Sequence, residues 1–365
     1  MSKILFLVNH DVVIYNFRRE IVEELIKDGH EVHISSPYGE RIDALVALGA
    51  VFHEIRIERH GMNPKEEIRI IKTYKKLFKS LRPDICLGFT IKPNVYGIMA
   101  ARKYGIPFIA NITGLGTSIQ NGGLKQKVSL LLYQNTLKDA KNIFFQNESD
   151  FGFMLENKVV TKEKCEVLPG SGVNLVQHCY EEYPKNENSV VFSTFGRIMK
   201  DKGTDELIAA ARAIKQKGYN ATFRIIGFFD DDFYKETVMS AVDEGVVEYI
   251  EQQKDVHPLM KESHAIIQPS HHEGMSNVLL EAAATGRPVI ASDIPGCREA
   301  FKDGVSGFGF EVENVNALVE KIVQFLELPN CEKEQMGKAG RDLMEQYFDR
   351  NIVVNKYKEK IEGAN

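Results

Sequence analysis

The stretch AIIQPSHHEGMSNVLLEAAATGRPVIASD, residues 265–293, determines the predicted fold. It contains a buried strand at 265–270, a polar loop, a short helix at 277–285 and a second buried strand at 288–293. Ser276 is a preferred helix N-cap residue, and Gly286 followed by Pro288 is a helix stop signal. A strand, a helix and a strand in this order predict a parallel β-α-β unit.

The same alternation of strands and helices extends in both directions from this stretch. Strands are predicted at 3–9, 31–36, 84–89, 107–112, 142–147, 189–195 and 221–227, and helices near 64–81, 93–104, 123–137 and 204–217. The segment VLPGSGVN (167–174) interrupts the alternation and is typical of a linker. We therefore predict an α/β fold of two doubly wound, Rossmann-like domains, residues 1–171 and 172–345. The C-terminal segment 346–365, helical near 350–361, is expected to pack back on the first domain.

Composition is that of a globular protein with enough apolar residues for two cores. Hydrophobic residues make up 43% of the 365 and charged residues 27%. No apolar run approaches the roughly 18 residues needed to cross a bilayer. The five cysteines are scattered and contain no CxxC pair. This pattern favours a reducing, cytoplasmic location and predicts no structural metal site.

The net charge of −5 is distributed unevenly along the chain. Residues 1–170 contain 24 Lys and Arg against 19 Asp and Glu, and residues 171–365 contain 22 against 32. A basic first half indicates a surface that meets an anionic partner. The alternative is two solvated surfaces whose charges differ by chance.

Two glutamates flank the start of the 277–285 helix. Glu281 lies within the apolar run VLLEAAA, where a buried carboxylate needs a partner such as ribose hydroxyls or a basic side chain. Glu273 precedes the helix at the carboxyl end of a parallel strand, where ligands bind in α/β folds. The helix N-terminus between them suits diphosphate, and Gly274 allows close approach. His271 and His272 are adjacent and cannot share a face, so no metal is predicted.

A second polar segment, GRIMKDKG (196–203), follows the predicted strand at 189–195. Gly196 is expected to permit a tight turn from the strand to the next helix. Arg197 and Lys202 are expected to project over the same sheet edge as the two glutamates. Two cations there can neutralise a leaving diphosphate without a metal ion. The alternative is that both are ordinary solvated loop side chains.

Together these residues resemble those of family 4 glycosyltransferases, which have the GT-B fold. The resemblance covers nearly the whole chain. It is carried by Gly196-Arg197 with Lys202-Gly203, by the E-x7-E pair, by GRPVIASDIPGCRE (286–299) and by the linker SGVN (171–174). It implies two Rossmann-like domains facing an interdomain cleft, with a nucleotide-sugar donor held mainly by the second. It also implies transfer with retention of anomeric configuration and no required metal or other cofactor.

The resemblance also implies roles for individual residues. Arg197 and Lys202 would bind the donor diphosphate and, with Glu273 at the transferred sugar, would form the catalytic group. Glu281 would bind the ribose. The full implied donor-binding set consists of Gly196, Arg197, Lys202, Glu273, Gly274, Met275, Ser276, Asn277, Val278 and Glu281.

Three loops of the first domain are candidates for the acceptor side, at 9–17, 88–94 and 111–123. Their candidate residues are His10, Tyr15, Lys92, Asn94, Thr113 and Gly114. Many relatives carry a His-Gly pair where this chain has Thr113-Gly114, so the role of that histidine stays unassigned. The phrase TGLG (113–116) resembles a bacterial subgroup that extends sugars on polyprenyl-diphosphate carriers. This resemblance implies transfer of a hexose or N-acetylhexosamine from a UDP-sugar to a polyprenyl-diphosphate-linked saccharide, in capsule, O-antigen or glycan assembly.

The predicted helix at 64–82 is strongly basic. Its cations are Lys65, Arg69, Lys72, Lys75, Lys76, Lys79 and Arg82, and its predicted apolar stripe is Ile68, Ile71, Tyr74 and Phe78. A basic amphipathic helix can lie on an anionic membrane, here the cytoplasmic face of the inner membrane. It can equally pack on its own sheet with its charges solvated. The segment at 122–135 is a second candidate membrane surface.

Other function classes use related folds. A nicotinamide-dependent dehydrogenase needs a GxGxxG turn after a strand, and the spacings after Gly114 and Gly307 do not supply one. A GT-B sugar-nucleotide epimerase is not expected to carry the E-x7-E helix. A non-catalytic sugar-nucleotide-binding relative is the remaining alternative, suggested by Thr113. No nucleic-acid partner is predicted.

Overall fold

The computed structural model describes residues 1–57, 64–116, 119, 123–185 and 189–363. The described residues form two compact units. Unit 1 is Met1–Ser171 together with the segment that begins at Asn351, and unit 2 is Gly172–Arg350. Part of the predicted acceptor loop, residues 117, 118 and 120–122, lies outside the described residues, as does residue 122 of the second candidate membrane surface. Within the described ranges, no helix has the length and apolar character that a bilayer-spanning segment requires.

Unit 1 contains a parallel sheet with helices on both faces. Its strands are β1 (Lys3–Leu7), β2 (Glu31–Ser36), β3 (Val51–Glu54), β4 (Ile85–Phe89), β5 (Phe108–Ile112), β6 (Asn142–Phe145) and β7 (Cys165–Val167). Its helices are α1 (Asp11–Lys27), α2 (Arg41–Ala47), α3 (Pro64–Leu81), α4 (Ile91–Arg102), α5 (Gly123–Leu137) and α6 (Glu148–Glu156). The strand order is β3-β2-β1-β4-β5-β6-β7. The central strands are continuous apolar runs because helices cover them on both sides.

Unit 2 repeats this architecture. Its strands are β8 (Val190–Ile198), β9 (Ala221–Phe229), β10 (Glu248–Glu251), β11 (Ala265–Gln268), β12 (Val289–Ser292) and β13 (Gly307–Phe310). Its helices are α7 (Thr204–Gln216), α8 (Asp232–Asp243), α9 (His257–Glu262), α10 (Asn277–Ala284), α11 (Val315–Glu327) and α12 (Asn330–Leu343). The strand order is β10-β9-β8-β11-β12-β13, and all its pairs are parallel.

Each sheet has one point at which the chain reverses its direction of strand addition. In unit 1 this point lies between β1 and β4, and in unit 2 it lies between β8 and β11. The loops that leave two neighbouring strands there diverge to opposite faces of the sheet. A crevice therefore opens at the carboxyl ends of the strands, and ligands of α/β proteins bind in such crevices.

The last helix, α13 (Arg350–Glu362), packs on the face of unit 1 that α1 and α2 also cover. Val353, Val354 and Ile361 are buried there. The ring of Tyr357 lies 5.0 Å from that of Phe144. The Tyr357 hydroxyl donates a hydrogen bond to the side-chain oxygen of Asn111 at the end of β5.

The predicted α/β, GT-B-type architecture of two Rossmann-like domains is confirmed. The short edge strands β3, β7, β10 and β13 were not predicted, because runs of three or four residues carry little periodicity. The predicted turn at Gly196 is wrong, because β8 continues to Ile198 and the chain turns at Lys200–Lys202.

Helix α3 packs on its own sheet through Ile70, Tyr74 and Phe78, which are buried in the unit 1 core. The predicted stripe is wrong at its first position, because the Ile68 side chain is 53% exposed. The outer face of α3 is basic and exposed. An open surface groove on that face is lined by Lys65, Ile68, Arg69, Lys72, Thr73 and Lys76.

Candidate active site

Lys202 and Glu273 meet at the reversal point of the unit 2 sheet. Lys202 follows β8 and Glu273 follows β11, so parallel pairing brings both loops to one edge. The Lys202 Nζ lies 2.5 Å from Glu273 Oε1. The same oxygen accepts hydrogen bonds from Ser270 Oγ at 2.9 Å and from Gln268 Nε2 at 3.3 Å. A cation and an anion are therefore held together in fixed positions where a ligand would bind.

The backbone brings these two loops into close contact. Gly203 has φ of +69°, and a Cβ atom there would lie 2.0 Å from the carbonyl oxygen of Pro269. Only glycine fits this position, because both the left-handed conformation and the close approach exclude a side chain. The His271 N–H also donates to the Asp201 carbonyl at 2.9 Å. The Lys202–Glu273 pair thus rests on direct contacts between the two loops.

Arg197 extends from the end of β8 and is held by an acidic residue. Its Nη1 lies 3.5 Å from Asp230 Oδ1, and both side chains are about one-third exposed (30% and 33%). Gly196 pairs with Gly227 of β9. A Cβ atom on Gly227 would lie 1.7 Å from the Gly196 carbonyl oxygen. A glycine at 227 therefore allows β8 and β9 to approach each other closely just before Arg197.

The start of α10 differs from the prediction in two respects. Ser276 is the N-cap residue, but its side chain makes no capping hydrogen bond. Its backbone N–H belongs to the helix N-terminus that was expected to bind diphosphate, but this N–H is not free, because it donates to the Gly296 carbonyl at 2.7 Å. Met275 is buried in the unit 2 core and can offer only its backbone to a ligand. Asn277 and Val278 are the first two residues of α10.

Glu281 lies one turn into α10 with its side chain 18% exposed. Its Oε1 is 4.0 Å from His178 Nε2. Burial raises the pKa of Glu281 to about 7, and the nearby Arg350 guanidinium only partly opposes this. Burial also lowers the pKa of His178 to about 4, so the imidazole is neutral at pH 7 and brings no compensating charge. The negative charge of an ionised Glu281 is therefore only weakly compensated by nearby positive charge.

Two family profiles match the chain and together cover both units. "Glycosyl transferase 4-like" matches residues 3–147, and "Glycosyl transferases group 1" matches residues 180–343, which contain the Lys202–Glu273 pair and Glu281. The chain belongs to the family 4 glycosyltransferases. It is therefore an enzyme of the glycosyltransferase class.

Named relatives of this glycosyltransferase span most of its length. It is 28% identical over 96% of both chains to the N,N'-diacetylbacillosaminyl-diphospho-undecaprenol alpha-1,3-N-acetylgalactosaminyltransferase of Campylobacter jejuni. It is 28% identical to the capsular polysaccharide biosynthesis glycosyltransferase CapM of Staphylococcus aureus, covering 91% of this chain and 90% of CapM. The UDP-Gal:alpha-D-GlcNAc-diphosphoundecaprenol alpha-1,3-galactosyltransferase of Escherichia coli is 25% identical, with 71% and 70% covered.

Solved structures share the fold of this glycosyltransferase. A glycosyltransferase from Rickettsia africae superposes with a TM-score of 0.78 at 20% identity, covering 100% of this chain and 98% of the other. The Anabaena protein HepE, crystallised with UDP and glucose, superposes with a TM-score of 0.80 at 17% identity, covering 99% and 100%.

The two histidines before Glu273 have different environments in the glycosyltransferase. His272 is exposed, whereas His271 is buried between two carboxylates. The His271 Nε2 lies 3.0 Å from Glu206 Oε1, and its Nδ1 lies 3.6 Å from Glu313 Oε1. The contact with Glu206 connects the loop that carries Glu273 to the first turn of α7.

The acceptor-side candidates of unit 1 lie in the loops and the first two helical turns that follow β1, β4 and β5. His10 caps α1, and its Nδ1 lies 2.7 Å from Asp11 Oδ1. Lys92 is paired with Glu67 at 2.9 Å. Thr113 and Gly114 directly follow β5, and Tyr15 accepts a hydrogen bond from Arg19.

Asn94 differs from the other candidates because its side chain is fully buried. Its amide donates to the Asn111 carbonyl at 2.8 Å, which ties α4 to β5. This position serves the packing of unit 1 and does not offer the side chain to an acceptor.

Several residues of the site were not expected from the sequence. Asp230 holds Arg197, Ser270 and Gln268 hold Glu273, and His178 faces Glu281. The run DDD at 230–232 after β9 was an available signal, because it too lies at the carboxyl end of a strand. His178 offered no signal, since it lies about a hundred residues from Glu281 in an irregular segment.

Proposed function

We propose that this glycosyltransferase moves a hexose or N-acetylhexosamine from a UDP-sugar to a polyprenyl-diphosphate-linked saccharide, with retention of configuration. The observation that carries the proposal is the Lys202–Glu273 pair at the reversal point of unit 2, in the part of the chain that matches group 1 glycosyltransferases. Two of the relatives named above, those of Campylobacter jejuni and Escherichia coli, are named for undecaprenyl-diphosphate-linked sugars, and this supports the acceptor class. One of them is named for a UDP-sugar donor, which supports UDP as the carrier.

In this proposal the donor diphosphate binds between Lys202, Arg197 and the first turn of α10. As the bond between the sugar and the diphosphate breaks, negative charge grows on the departing UDP. Fixed cations at that position stabilise the developing charge without reorganisation during the reaction. Lys202 and Arg197 are held by Glu273 and Asp230, so both are pre-positioned. We propose that they take the role that a divalent metal has in other transferases.

We assign Glu273 to the transferred sugar and Glu281 to the ribose. The Oε1 atom of Glu273 is engaged by Lys202, Ser270 and Gln268, and we assign its Oε2 to a sugar hydroxyl. Two vicinal ribose hydroxyls would give Glu281 the hydrogen bonds that a buried carboxylate needs. Buried and hydrogen-bonded acceptors of this kind discriminate strongly against analogues that lack a hydroxyl.

The reaction is tested by incubating the full chain with a panel of UDP-hexoses and UDP-N-acetylhexosamines and short polyprenyl-diphosphate-linked saccharides. We expect UDP release that depends on the acceptor, and a product whose new linkage keeps the donor's anomeric configuration by NMR. Epimerised donor in the absence of acceptor would instead support the epimerase alternative. Binding of UDP without turnover on any lipid-linked acceptor would support a non-catalytic relative.

The ionisation of Glu281 predicts how donor binding depends on pH. Because its pKa is about 7, the carboxylate forms as pH rises through that value. We expect the affinity for UDP to rise with pH, by about tenfold per unit below 7 if only the ionised form binds. Glu281→Gln should remove the part of this dependence that comes from the Glu281 carboxyl and weaken binding above pH 7. Isothermal titration calorimetry with both proteins checks this.

The Glu281→Gln protein also serves as the control in this titration. The terminal phosphate of UDP titrates in the same range, and the variant separates that contribution from the carboxyl of Glu281. Equal affinities in the two proteins at every pH would refute the ribose assignment.

We propose that the basic face of α3 holds the enzyme at an anionic membrane surface, where a lipid-linked acceptor resides. Lys65, Arg69, Lys72 and Lys76 lie on one exposed face, with Ile68 among them. A basic residue near an anionic bilayer contributes about 1 kcal/mol. The exposed Val128, Leu131 and Leu132 of α5 add apolar area on the same layer of helices.

The double variant Lys72→Glu/Lys76→Glu is expected to bind vesicles containing phosphatidylglycerol at least roughly thirtyfold more weakly than the wild type. Vesicle co-sedimentation at low and at physiological salt measures this. The control Lys217→Glu/Lys302→Glu changes the net charge equally at two exposed positions of unit 2. Equal loss in both double variants would show that net charge, and not the α3 face, controls binding.

A further inference from the structure

Three side chains that could bind a metal ion lie close together in unit 2. None of them is among the residues proposed to bind the nucleotide-sugar donor. The Sγ of Cys179 lies 3.6 Å from Nε2 of His257 and 3.8 Å from Oε1 of Glu181. The Nε2 of His257 lies 3.2 Å from the same Glu181 oxygen. One sulfur, one nitrogen and one oxygen thus form a small triangle in which each atom faces the other two.

The dimensions of this triangle match three corners of a zinc coordination sphere. Zinc bonds are about 2.3 Å to sulfur, 2.0–2.1 Å to nitrogen and 2.0–2.2 Å to carboxylate oxygen, with tetrahedral geometry. Ligand atoms around such an ion lie roughly 3.3–3.7 Å from one another. The three observed separations deviate from that range by only about 0.1 Å.

The backbone segments that carry the ligands are held by one buried side chain. Arg287 has no exposed surface. Its guanidinium donates to the carbonyls of Glu181 and Glu182 at 3.0 and 2.8 Å, and to those of Met260 and Lys261 at 3.2 and 2.9 Å. It therefore braces the segment of Glu181 against helix α9, which begins with His257. A site on such pre-positioned elements needs little rearrangement to accept an ion.

Outer contacts orient the ligands in the manner of known metal centres. The Nδ1 of His257 lies 3.4 Å from the Thr285 hydroxyl, which leaves Nε2 for the metal. The ring of His178 packs edge-on against that of His257, with centroids 5.8 Å apart. The second oxygen of Glu181 is 2.8 Å from Lys261 Nζ, which leaves Oε1 for the metal. Such partners fix the orientation and tautomer of metal ligands.

We propose that Cys179, Glu181 and His257 form a zinc site, with solvent as the fourth ligand. The thiolate, imidazole and carboxylate are the three ligand types that zinc prefers. Cys179 is exposed, which leaves one side open to water. Binding releases the thiol proton to solvent. The ion ties the irregular segment at 179–181 to helix α9, next to the His178–Glu281 contact.

The other cluster of histidine and carboxylates in the described residues lacks this geometry. Glu206 and Glu313 approach opposite nitrogens of the His271 ring, so the imidazole cannot direct both nitrogens at one ion. That cluster serves as a set of ion pairs. The Cys179 cluster differs because three different side chains each present one ligand atom to a common centre.

The site is tested with Co(II), whose bond to a thiolate gives an intense charge-transfer absorption that oxygen and nitrogen ligands do not give. The full chain, reduced and stripped of metal with a chelator, is titrated with Co(II) and then with Zn(II). We expect one equivalent of the thiolate band, displaced by zinc, and a higher melting temperature with zinc but not with magnesium. Cys179→Ser should abolish the band, and His257→Gln should lower zinc affinity at least about tenfold.

Cys331→Ser is the matched control, because Cys331 is also an exposed, free cysteine. It is expected to bind both ions as the wild type does. The proposal is overturned if the wild type gives no thiolate band. A band that survives Cys179→Ser, or disappears in Cys331→Ser, also overturns it, because it assigns the thiolate elsewhere.

Discussion

Lys202→Ala is expected to lower kcat by about 10²–10³-fold, the usual loss when one pre-positioned group that stabilises transition-state charge is removed. The lysine lies 2.5 Å from Glu273 and is held there by the contact between Gly203 and Pro269. Its charge matters most as UDP departs, because negative charge on the diphosphate is greatest then. The loss should therefore appear in kcat and in kcat/KM together. Steady-state kinetics of sugar transfer measures both.

Lys200→Ala is the matched control for this experiment. Lys200 belongs to the same short turn, Lys200–Lys202, but is exposed to solvent. Its removal changes the net charge equally and is expected to leave kcat within a small factor of the wild type. A Lys202→Ala enzyme with near-normal kcat would remove the lysine from the proposed charge-stabilising role.

Arg287→Met is expected to lower the free energy of unfolding by roughly 3–5 kcal/mol, because several buried carbonyl oxygens lose a charged donor at once. The guanidinium is fully buried, and burial lowers its pKa to about 10. Methionine fills a similar volume but leaves several buried carbonyl oxygens, including those of Met260 and Gly286, without this donor. Each unsatisfied buried acceptor costs about 1–3 kcal/mol. Chemical denaturation monitored by circular dichroism measures the change.

Arg212→Met is the comparison for that measurement. Arg212 forms a two-pronged pair with Glu244, with both distances at 2.9 Å, but the two side chains are 42% and 45% exposed. Exposed pairs contribute about 0–1 kcal/mol. Equal destabilisation by the two substitutions would mean that the carbonyl contacts of Arg287 are not what stabilises unit 2.

The fold was largely predictable because the sequence signals that determine it lie within short segments. Buried parallel strands are continuous apolar runs, and the helices between them carry clear start and stop residues, as Ser276 and Gly286 do. The shared sheet edge of Lys202 and Glu273 was predictable for the same reason, since the carboxyl ends of parallel strands lie at one edge. The rotation of a helix about its own axis was harder to predict. In α3, Ile68 and Ile70 are equally apolar, and the packing of the sheet decides which of them is buried.

The contacts within the site were not predictable, because they depend on distances between separate segments. The pairing of Lys202 with Glu273 depends on a carbonyl of Pro269 that approaches Gly203. The N–H of Ser276 is taken by Gly296, from a turn twenty residues away. Cys179 and His257 are 78 residues apart, so no spacing motif marks them. Asn94 was assigned to an acceptor-side loop, and only the structure shows that its side chain is buried and bonded to Asn111.

Helix α13 has a consequence for how the chain matures on the ribosome. The face of unit 1 that buries Val353, Val354, Tyr357 and Ile361 is built mainly by residues that emerge first. The helix that covers this face emerges only after all of unit 2 has been made. During synthesis, domains fold as they appear. The apolar surface of unit 1 therefore stays uncovered while about half of the chain is translated. A premature stop codon near the 3′ end would remove α13, and would therefore damage the first domain rather than the second.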